Sequence, residues 1–403
     1  MNILITSCRG LGYGGAEISI MQFAQELQKR GHNVIIASPE KYPELKTELF
    51  KFVEKYPYQI QHVYLKNFFK KIIQKYSIQI VTSQDRVTTI PAIQAAKDLS
   101  IPIVVQFRDY WFACPKSTCL KPDNSECKYC DWSSLRSCSY GKRFFIDLYK
   151  SQYLKKYWSI IDTADLKLVA STSLKNKLAN CGILNNVQLI LHPRKLDEFE
   201  NVENVQEFKN QFKLRKIVVG FIGVAFTQSK GVLQPFDYLP EILRTHKDVS
   251  FLMVGDGPLV SQIKEIITKE HIEDQVVLTG RVPFAKIPTC YAACDIVLIP
   301  HLWEEPFGAI LLEAAASGKA TITSEKGGPA DVRDDFGYVI SPYDTNLWKE
   351  KLLFLIENAS ERERIGKLSK ENIKKHSIEL YVDVLEKHYN ELLFPCSKNI
   401  VSK

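Results

Sequence analysis

The chain has 403 residues, of which 45% are hydrophobic and 25% charged, and its formal net charge is +7. This composition is typical of a globular protein and excludes a chain that is disordered throughout. The length exceeds what one hydrophobic core usually supports, so we expect two domains.

The basic excess is modest, and no nucleic-acid-binding module accompanies it, so we do not expect a nucleic-acid partner. Part of the excess lies in residues 66–75 and 142–156, where basic residues are mixed with bulky apolar ones. Both segments suit a helix on an anionic membrane surface, and equally an ordinary amphipathic surface helix.

The first residues lack the features of a signal peptide, and no apolar run approaches the roughly 18 residues needed to span a bilayer. We therefore expect a cytoplasmic protein, soluble or peripheral on the inner face of the plasma membrane.

Short β-branched runs alternate with helical patterns along the chain, which is typical of parallel sheets built from βαβ units. In the first half the predicted strands are residues 3–6, 34–37, 61–64, 79–82, 103–106, 166–169 and 187–190. A helix is predicted between Gly14 and Gly31, with Gly31 as its C-terminal stop.

Residues 196–215 are charged and lack a clear strand, which predicts a linker. After it, strands are predicted at residues 217–222, 251–254, 276–279, 296–299, 320–323 and 338–340, and residues 346–393 have an almost wholly helical pattern. We therefore predict an α/β protein with two doubly wound Rossmann-like domains, residues 1–195 and 216–375, facing a central cleft. A C-terminal helix within residues 376–403 is expected to pack back towards the first domain. Ligands of such sheets bind beyond the carboxyl ends of the strands.

Five of the ten cysteines lie in one loop, residues 114–138. A cytoplasmic location disfavours disulfides and favours metal binding, and the Cys127-Lys-Tyr-Cys130 spacing is typical of half a zinc site. A structural zinc site would be formed by Cys114, Cys119, Cys127 and Cys130. Cys138 is an alternative ligand in place of one of these four. The spacing between the two halves is irregular, so free thiols and a disulfide remain open alternatives.

Glu305 and Glu313 lie eight residues apart, on either side of a predicted helix start. Pro306 suits a first helical position and Gly308 leaves the backbone uncovered, so the first-turn amides would be available to an anion. On an ideal helix the two glutamates are about 80° apart and would contact different parts of one ligand. Taken alone, the stretch is more simply a buried helix with two solvated glutamates.

Glycine-rich turns follow several predicted strands, at residues 12–17, 222–231, 254–258, 278–281 and 327–329. In the second of them, Lys230 stands where an ammonium group can offset the charge of a diphosphate. The first turn lacks the full dinucleotide-binding pattern, and the second strand ends in Ser38-Pro39 rather than in an acidic residue, which disfavours a nicotinamide or flavin oxidoreductase.

Together, residues 14–17, 229–231, 254–258, 295–300 and 305–313 resemble the family 4 glycosyltransferases of the GT-B fold, and residues 108–115 also resemble a segment of many members. The resemblance covers nearly the whole chain, and the Glu-x7-Glu block is its most specific part. It implies a retaining transfer of a hexose or N-acetylhexosamine from a UDP- or GDP-linked donor, with no metal or other cofactor needed for catalysis. The implied acceptor is a glycan or a lipid-linked sugar in cell-surface polysaccharide or glycolipid synthesis.

The resemblance also implies roles for individual residues. Gly14 and Gly15 would lie beside the diphosphate, Lys230 would neutralise the leaving phosphate, and Glu305 would hold hydroxyls of the donor sugar. The amides of Phe307 and Gly308 would lie near the phosphates, and Glu313 would bind the ribose. The remaining implied site residues are Gly223, Gly255, Arg281 and Val282 on the nucleotide side, and Arg108 and Asp109 as catalytic residues of the first, acceptor-binding domain.

Two positions depart from the family pattern. Val224 stands where the family usually has a phosphate-binding arginine, a role that Arg281 or another cation would have to take over. Arg108 stands where a histidine is common; it cannot act as a base, but it can bind a phosphate or an acceptor anion. These departures keep a second hypothesis open, a non-catalytic relative that binds a nucleotide sugar or a glycan.

Overall fold

The computed structural model describes residues 1–10, 15–51, 58–139, 141–190, 193–200, 202–333 and 335–395, and this description leaves out the side chains of residues 16, 58 and 224. The described chain divides into two compact units. Unit 1 comprises Met1–Pro122, Cys127–Pro193 and Ile378–Lys403, and unit 2 comprises Asp123–Glu126 and Arg194–Ser377.

Each unit is built around one parallel β-sheet. The strands of unit 1 are β1 (Asn2–Thr6), β2 (Asn33–Ser38), β3 (Lys46–Leu49), β4 (Ile80–Ser83), β5 (Ile103–Phe107), β6 (Leu166–Val169) and β7 (Val187–Leu189), and those of unit 2 are β8 (Ile217–Ala225), β9 (Val249–Asp256), β10 (Val276–Gly280), β11 (Ile296–Ile299), β12 (Ala320–Ser324) and β13 (Gly337–Ile340). The strand orders are β3-β2-β1-β4-β5-β6-β7 and β10-β9-β8-β11-β12-β13. In each sheet the order reverses once, between β1 and β4 in unit 1 and between β8 and β11 in unit 2. This confirms the predicted pair of doubly wound, Rossmann-like units.

Helices connect the strands. They are α1 (Gly15–Lys29), α2 (Tyr58–Lys75), α3 (Thr89–Asp98), α4 (Trp132–Cys138), α5 (Gly141–Asp162), α6 (Thr172–Asn180), α7 (Val205–Gln211), α8 (Leu239–Thr245), α9 (Val260–Lys269), α10 (Ile287–Ala293), α11 (Ala309–Ala316), α12 (Thr345–Glu357), α13 (Ala359–Asn372) and α14 (Ile378–Leu393). The predicted linker, residues 196–215, includes α7 and lies within unit 2, where Phe208 is buried.

The C-terminal helix α14 belongs to unit 1 and packs against α1. Phe23 of α1 and Tyr381, Leu385 and Tyr389 of α14 are buried in one apolar cluster with residues of β1, β2 and β4. Helices α1 and α14 therefore share one core, and α14 contacts parts of unit 1 that are far from it in sequence.

The strand predicted at residues 61–64 is wrong, because these residues lie inside helix α2. Leu65, Phe69, Ile72 and Ile73 of that helix are buried at a spacing of three to four residues, which is the helical period. Strand β3 was not predicted, because its sequence Lys-Thr-Glu-Leu is polar. It lies at the edge of the sheet and pairs only with β2.

Candidate functional site

The candidate site of unit 2 is a group of charged side chains. It lies beyond the carboxyl ends of β8 and β11, where the strand order reverses. Ligands of open parallel sheets bind at such points because the loops diverge there and leave a crevice. The two loops are tied together, since the amide of Leu302 donates to the carbonyl of Ser229 at 2.9 Å. Lys230 follows β8 in a short 3₁₀ turn, and Glu305 follows β11.

Lys230 and Glu305, predicted from the sequence as site residues, are in direct contact. The Lys230 Nζ atom donates to Glu305 Oε2 at 2.7 Å, and the side chains are 29% and 14% exposed. The indole Nε1 of Trp303 donates to the same oxygen at 2.9 Å. Lys230 Nζ also lies 4.7 Å from the centre of the Trp303 ring, within the range of a cation–π contact. Trp303 thus fixes both members of the pair.

The surroundings keep Glu305 ionised. Burial raises the pKa of its carboxyl group, but the charge of Lys230 and the hydrogen bonds from Lys230 and Trp303 outweigh burial, and the net pKa is below the usual value. Burial lowers the pKa of His301 to about 4. Its Nε2 atom lies 2.8 Å from the carbonyl of Lys326, so the neutral ring donates from Nε2. At neutral pH the charged groups of this cluster are one carboxylate and one ammonium.

The prediction that Pro306 occupies the first position of a helix is wrong. Helix α11 begins at Ala309, and Gly308 precedes it as the N-cap with φ of 93°. That left-handed conformation favours glycine. Glu305 instead lies in an extended segment, where its amide donates to the carbonyl of Lys326 at 3.2 Å and its carbonyl accepts from Gly328 at 2.7 Å. These bonds prevent the helix from starting at Pro306.

Phe307, whose amide was expected near a phosphate, has a buried side chain that packs 5.3 Å from the ring of His376. The phenyl ring anchors the turn before α11, and Gly308 gives that turn its left-handed conformation. The first amides of α11 therefore follow directly after the loop that carries Glu305.

Glu313 lies on α11 as predicted, but it is largely buried and forms an ion pair with Arg194. The Arg194 side chain is 1% exposed and that of Glu313 is 9% exposed. The guanidinium also lies 5.9 Å from the centre of the Phe199 ring and 5.7 Å from that of Phe284. Nothing in the sequence pointed to Arg194, because it lies 119 positions from its partner. The ribose-binding role of Glu313 stays a prediction.

The other predicted nucleotide-side residues lie at the ends of β8, β9 and β10. Gly255 has φ of 139°, and a Cβ atom there would be 1.8 Å from the carbonyl oxygen of Gly223. A side chain at Gly255 would clash with the backbone of β8, so the ends of β8 and β9 approach closely. Arg281 follows β10 with a side chain that is 79% exposed, and its Nε atom lies 3.9 Å from Asp256. Val282, the next residue, is partly buried.

In unit 1, the predicted residues lie beyond β1 and β5. Gly15 is the first residue of α1, whereas Gly14 lies outside the described residues. Arg108 and Asp109 follow β5 directly. Asp109 Oδ1 accepts from the amide of Trp111 at 2.6 Å, and burial raises the pKa of Asp109 to about 6. The Arg108 guanidinium is held by Gln84, Gln106 and Tyr381.

The five cysteines of the 114–138 loop have free thiols. A hydrogen bond from the Cys119 thiol, together with backbone amides, lowers the pKa of Cys114 to about 6, whereas burial raises the pKa of Cys127 to about 12 and that of Cys130 to about 11. Across the described ranges, no group of three or more His, Cys, Asp or Glu side chains is arranged to hold a metal ion. The structure therefore gives no support to the predicted zinc site of Cys114, Cys119, Cys127 and Cys130, with or without Cys138.

No helix in the described part of the chain is both long enough and apolar enough to cross a bilayer.

The chain is similar to known proteins along nearly its whole length. A family model described as Glycosyltransferase Family 4 matches residues 13–196, and one described as Glycosyl transferases group 1 matches residues 202–372. A glycosyltransferase of Methanocaldococcus jannaschii is 32% identical over 174 residues, which are 43% of this chain and 47% of the relative. The match therefore spans about half of that relative's length.

Solved structures share the fold. A glycosyltransferase from Rickettsia africae matches with a TM-score of 0.77 at 18% identity, over 98% of both chains. HepE of Anabaena, solved in complex with UDP, matches with a TM-score of 0.75 at 17% identity, over 97% of this chain and 100% of that chain.

Two parallel Rossmann-like units, as in these solved structures, define the GT-B fold. The chain belongs to the family 4 glycosyltransferases. This confirms the family and the fold class predicted from the sequence.

Proposed function

We propose that the chain is a retaining glycosyltransferase that moves a hexosyl or N-acetylhexosaminyl group from a UDP- or GDP-linked donor. The acceptor is a glycan or a lipid-linked sugar in cell-surface polysaccharide or glycolipid synthesis. The observation that carries the proposal is the contact between Lys230 and Glu305 at the reversal point of the unit 2 sheet. The UDP in the HepE structure, which has the same fold, supports a nucleotide-linked donor.

Lys230 and Glu305 would contact different parts of the donor, the diphosphate and the sugar. Negative charge builds on the departing diphosphate, and the Lys230 ammonium group, held in place by Glu305 and Trp303, is already positioned to meet it. The amides at the start of α11 add a second fixed positive end. These groups supply the stabilisation that a metal ion gives in other enzymes, which is why we propose transfer without a catalytic metal.

Glu305 is proposed to hold hydroxyl groups of the donor sugar rather than to act as a base. Its Oε2 atom accepts from Lys230 and Trp303, which leaves Oε1 for the sugar. A carboxylate whose pKa is lowered is a weak general base. The arrangement therefore does not favour an inverting reaction with Glu305 as the base, and the retaining outcome follows the family resemblance.

Unit 1 has a surface suited to an anionic membrane, which we call the apolar patch. It consists of exposed apolar side chains on α2, α4 and α5: Ile60, Val63, Tyr64, Trp132, Phe145, Ile146 and Tyr149. The hydroxyl group of Tyr149 donates to Gln59, so α2 and α5 are in contact within this patch. Lys142, Arg143 and Lys150 accompany it on α5. Apolar residues combined with basic ones bind anionic lipid surfaces, so we propose a peripheral protein at the cytoplasmic face of the plasma membrane.

The decisive experiment compares sugar transfer and donor hydrolysis by the wild type, Glu305→Gln and a control variant, Glu325→Gln. The side chain of Glu325 is 39% exposed and pairs with Arg333 on the surface. We expect Glu305→Gln to lose about 10²-fold or more of the turnover rate, and Glu325→Gln to lose none. Full activity of Glu305→Gln, with any donor that the wild type uses, would overturn the assignment.

A second candidate function is binding without turnover, and Val224 and Arg108 favour it because both replace residues typical of the family. Calorimetry with a panel of nucleotide sugars, followed by a turnover assay on broad acceptors, separates the two. Binding without turnover would support the non-catalytic relative.

A further inference from the structure

The Arg108 guanidinium in unit 1 is surrounded by neutral groups. Its Nε atom donates to Gln84 Oε1 at 2.9 Å, and its Nη2 atom donates to Gln106 Oε1 at 2.7 Å and to the Tyr381 hydroxyl at 3.4 Å. The ring of Phe23 lies 5.7 Å from the guanidinium carbon. Within the described residues, no carboxylate lies close enough to form an ion pair with it.

Arg108 is partly buried, and an arginine in that position usually has a carboxylate bonded to it. Burial lowers the pKa of Arg108, and the interactions with Tyr381 and with the negative charge of Glu17 only partly oppose this. An arginine remains charged even so. Burying a charge without an opposite charge is costly, so such a group is typical of a site that an anion completes.

Gln106 provides a second, independent observation. This residue is 2% exposed, and its Nε2 atom has no hydrogen-bond partner among the described residues. The orientation of the amide is set, because Oε1 accepts from both Arg108 and the Tyr381 hydroxyl at 2.7 and 2.8 Å. A buried donor is therefore left without an acceptor beside an arginine that forms no ion pair within the described residues.

These groups line a common pocket. Its walls include Gln106, Arg108 and Tyr381 on the polar side and Leu168, Ile190 and Pro193 on the apolar side. The pocket has room for about one water-sized group. It would therefore take one oxygen atom of a ligand, while the rest of that ligand remains outside.

We propose that the Gln106–Arg108–Tyr381 pocket binds an oxyanion, a phosphate or carboxylate group carried by the acceptor. Arg108 supplies the positive charge, and Gln106 Nε2 supplies a neutral donor beside it. The substrate of unit 1 is then an acidic acceptor rather than a neutral sugar. The assignment to an acceptor rests on the proposed function, whereas the binding of the anion itself does not.

The test measures anion binding with inorganic phosphate and with acetate at constant ionic strength, as a shift in melting temperature of the full chain. All proteins carry Lys230→Ala, so that the donor site does not contribute. We expect a saturable shift in melting temperature in this background. The shift should be lost in Arg108→Gln, which removes the charge, and in Gln106→Glu, because the new carboxylate would form an ion pair with the Arg108 guanidinium in place of the ligand. Arg333→Gln, which removes an arginine that is 52% exposed, is the matched control and should keep the shift.

Gln106→Met keeps the Arg108 charge and removes only the amide donor, so we expect weaker but measurable binding. An equal phosphate-dependent shift in Arg108→Gln and in its parent would overturn the proposal, as would an unchanged shift in Gln106→Glu. A second readout, in proteins that retain Lys230, compares phosphorylated and neutral acceptors: Arg108→Gln should lower the kcat/KM ratio between them by about tenfold or more.

The two proposals fail separately. Full activity of Glu305→Gln would remove the proposed function and leave the measured phosphate binding in place. Absence of a phosphate-dependent or acetate-dependent shift in the parent protein, with intact sugar transfer by the wild type, would remove only the present inference.

Discussion

The charged sites described in the two units differ in how their charges are paired. In unit 2, Lys230 is paired with Glu305, and Arg194 is paired with Glu313. In unit 1, Arg108 has only neutral partners. Charges that are satisfied within the protein can be held in place before a ligand arrives, as catalysis of charge separation requires. A charge that is left unsatisfied is more suited to binding a ligand of the opposite sign.

The largest expected effect is on the most buried pair. Arg194→Met should leave Glu313 buried without a cation, and removing one partner of such a pair typically costs about 3–5 kcal/mol of unfolding free energy. Urea denaturation of the full chain measures this loss of unfolding free energy. Arg333→Met, which breaks an exposed pair with Glu325, should change stability by less than about 1 kcal/mol. Equal losses of unfolding free energy in both variants would contradict the expectation that breaking a buried ion pair costs more than breaking an exposed one.

Next in size is the catalytic effect of the Lys230–Glu305 pair. Lys230→Ala removes the cation that faces the leaving diphosphate, so we expect kcat to fall about 10²–10³-fold at saturating donor. Lys349→Ala is a suitable control, because that lysine pairs with Glu241 at an exposed site. A Lys230→Ala variant with the wild-type kcat would show that the pair is only structural.

The third prediction concerns pH and unit 1. Because burial raises the pKa of Asp109 to about 6, the folded state holds this proton more tightly than the unfolded state. The contribution of Asp109 to stability is therefore present below the unfolded pKa of about 4 and is lost as pH rises to about 6, by at most about 3 kcal/mol. The free energy of unfolding should fall over this range more steeply in the wild type than in Asp109→Asn. Parallel pH profiles would contradict a buried, protonated Asp109.

The smallest expected effect is on the surface of unit 1. Phe145 is 70% exposed within the apolar patch, and Phe394, at the end of α14, is 71% exposed outside it. Phe145→Ser should weaken binding to vesicles rich in anionic lipid by about tenfold, since a buried phenyl group contributes roughly 1.5–3 kcal/mol. Phe394→Ser should have no effect in the same co-sedimentation assay. A similar loss in both variants would remove the apolar patch as the docking surface.

Much of the fold was predictable because the buried parallel strands are runs of β-branched residues. Such runs predicted all six strands of unit 2, whereas the polar edge strand β3 has no such signal. The false strand at residues 61–64 shows the limit of short patterns, since four residues cannot distinguish alternation from one turn of helix α2.

The site was predictable only in part. Lys230 and Glu305 could be found because each follows a strand at the reversal point of the sheet, and Trp303 lies close enough in sequence to have been included. Arg194, Gln106 and Tyr381 could not be found, because their partners are brought to them by folding: Tyr381 reaches Gln106 only because α14 returns to unit 1.

The central claim is that Lys230 and Glu305 form the donor site of a glycosyltransferase. Thermal unfolding of the wild type and Lys230→Ala, with UDP-, GDP- and ADP-linked sugars, tests it most directly. A ligand at 100 times its dissociation constant adds about 2.7 kcal/mol to the unfolding free energy. We predict that at least one class of nucleotide sugar stabilises the wild type by this amount and stabilises Lys230→Ala far less. No stabilisation of the wild type by any of them, or equal stabilisation of both proteins, would contradict the account.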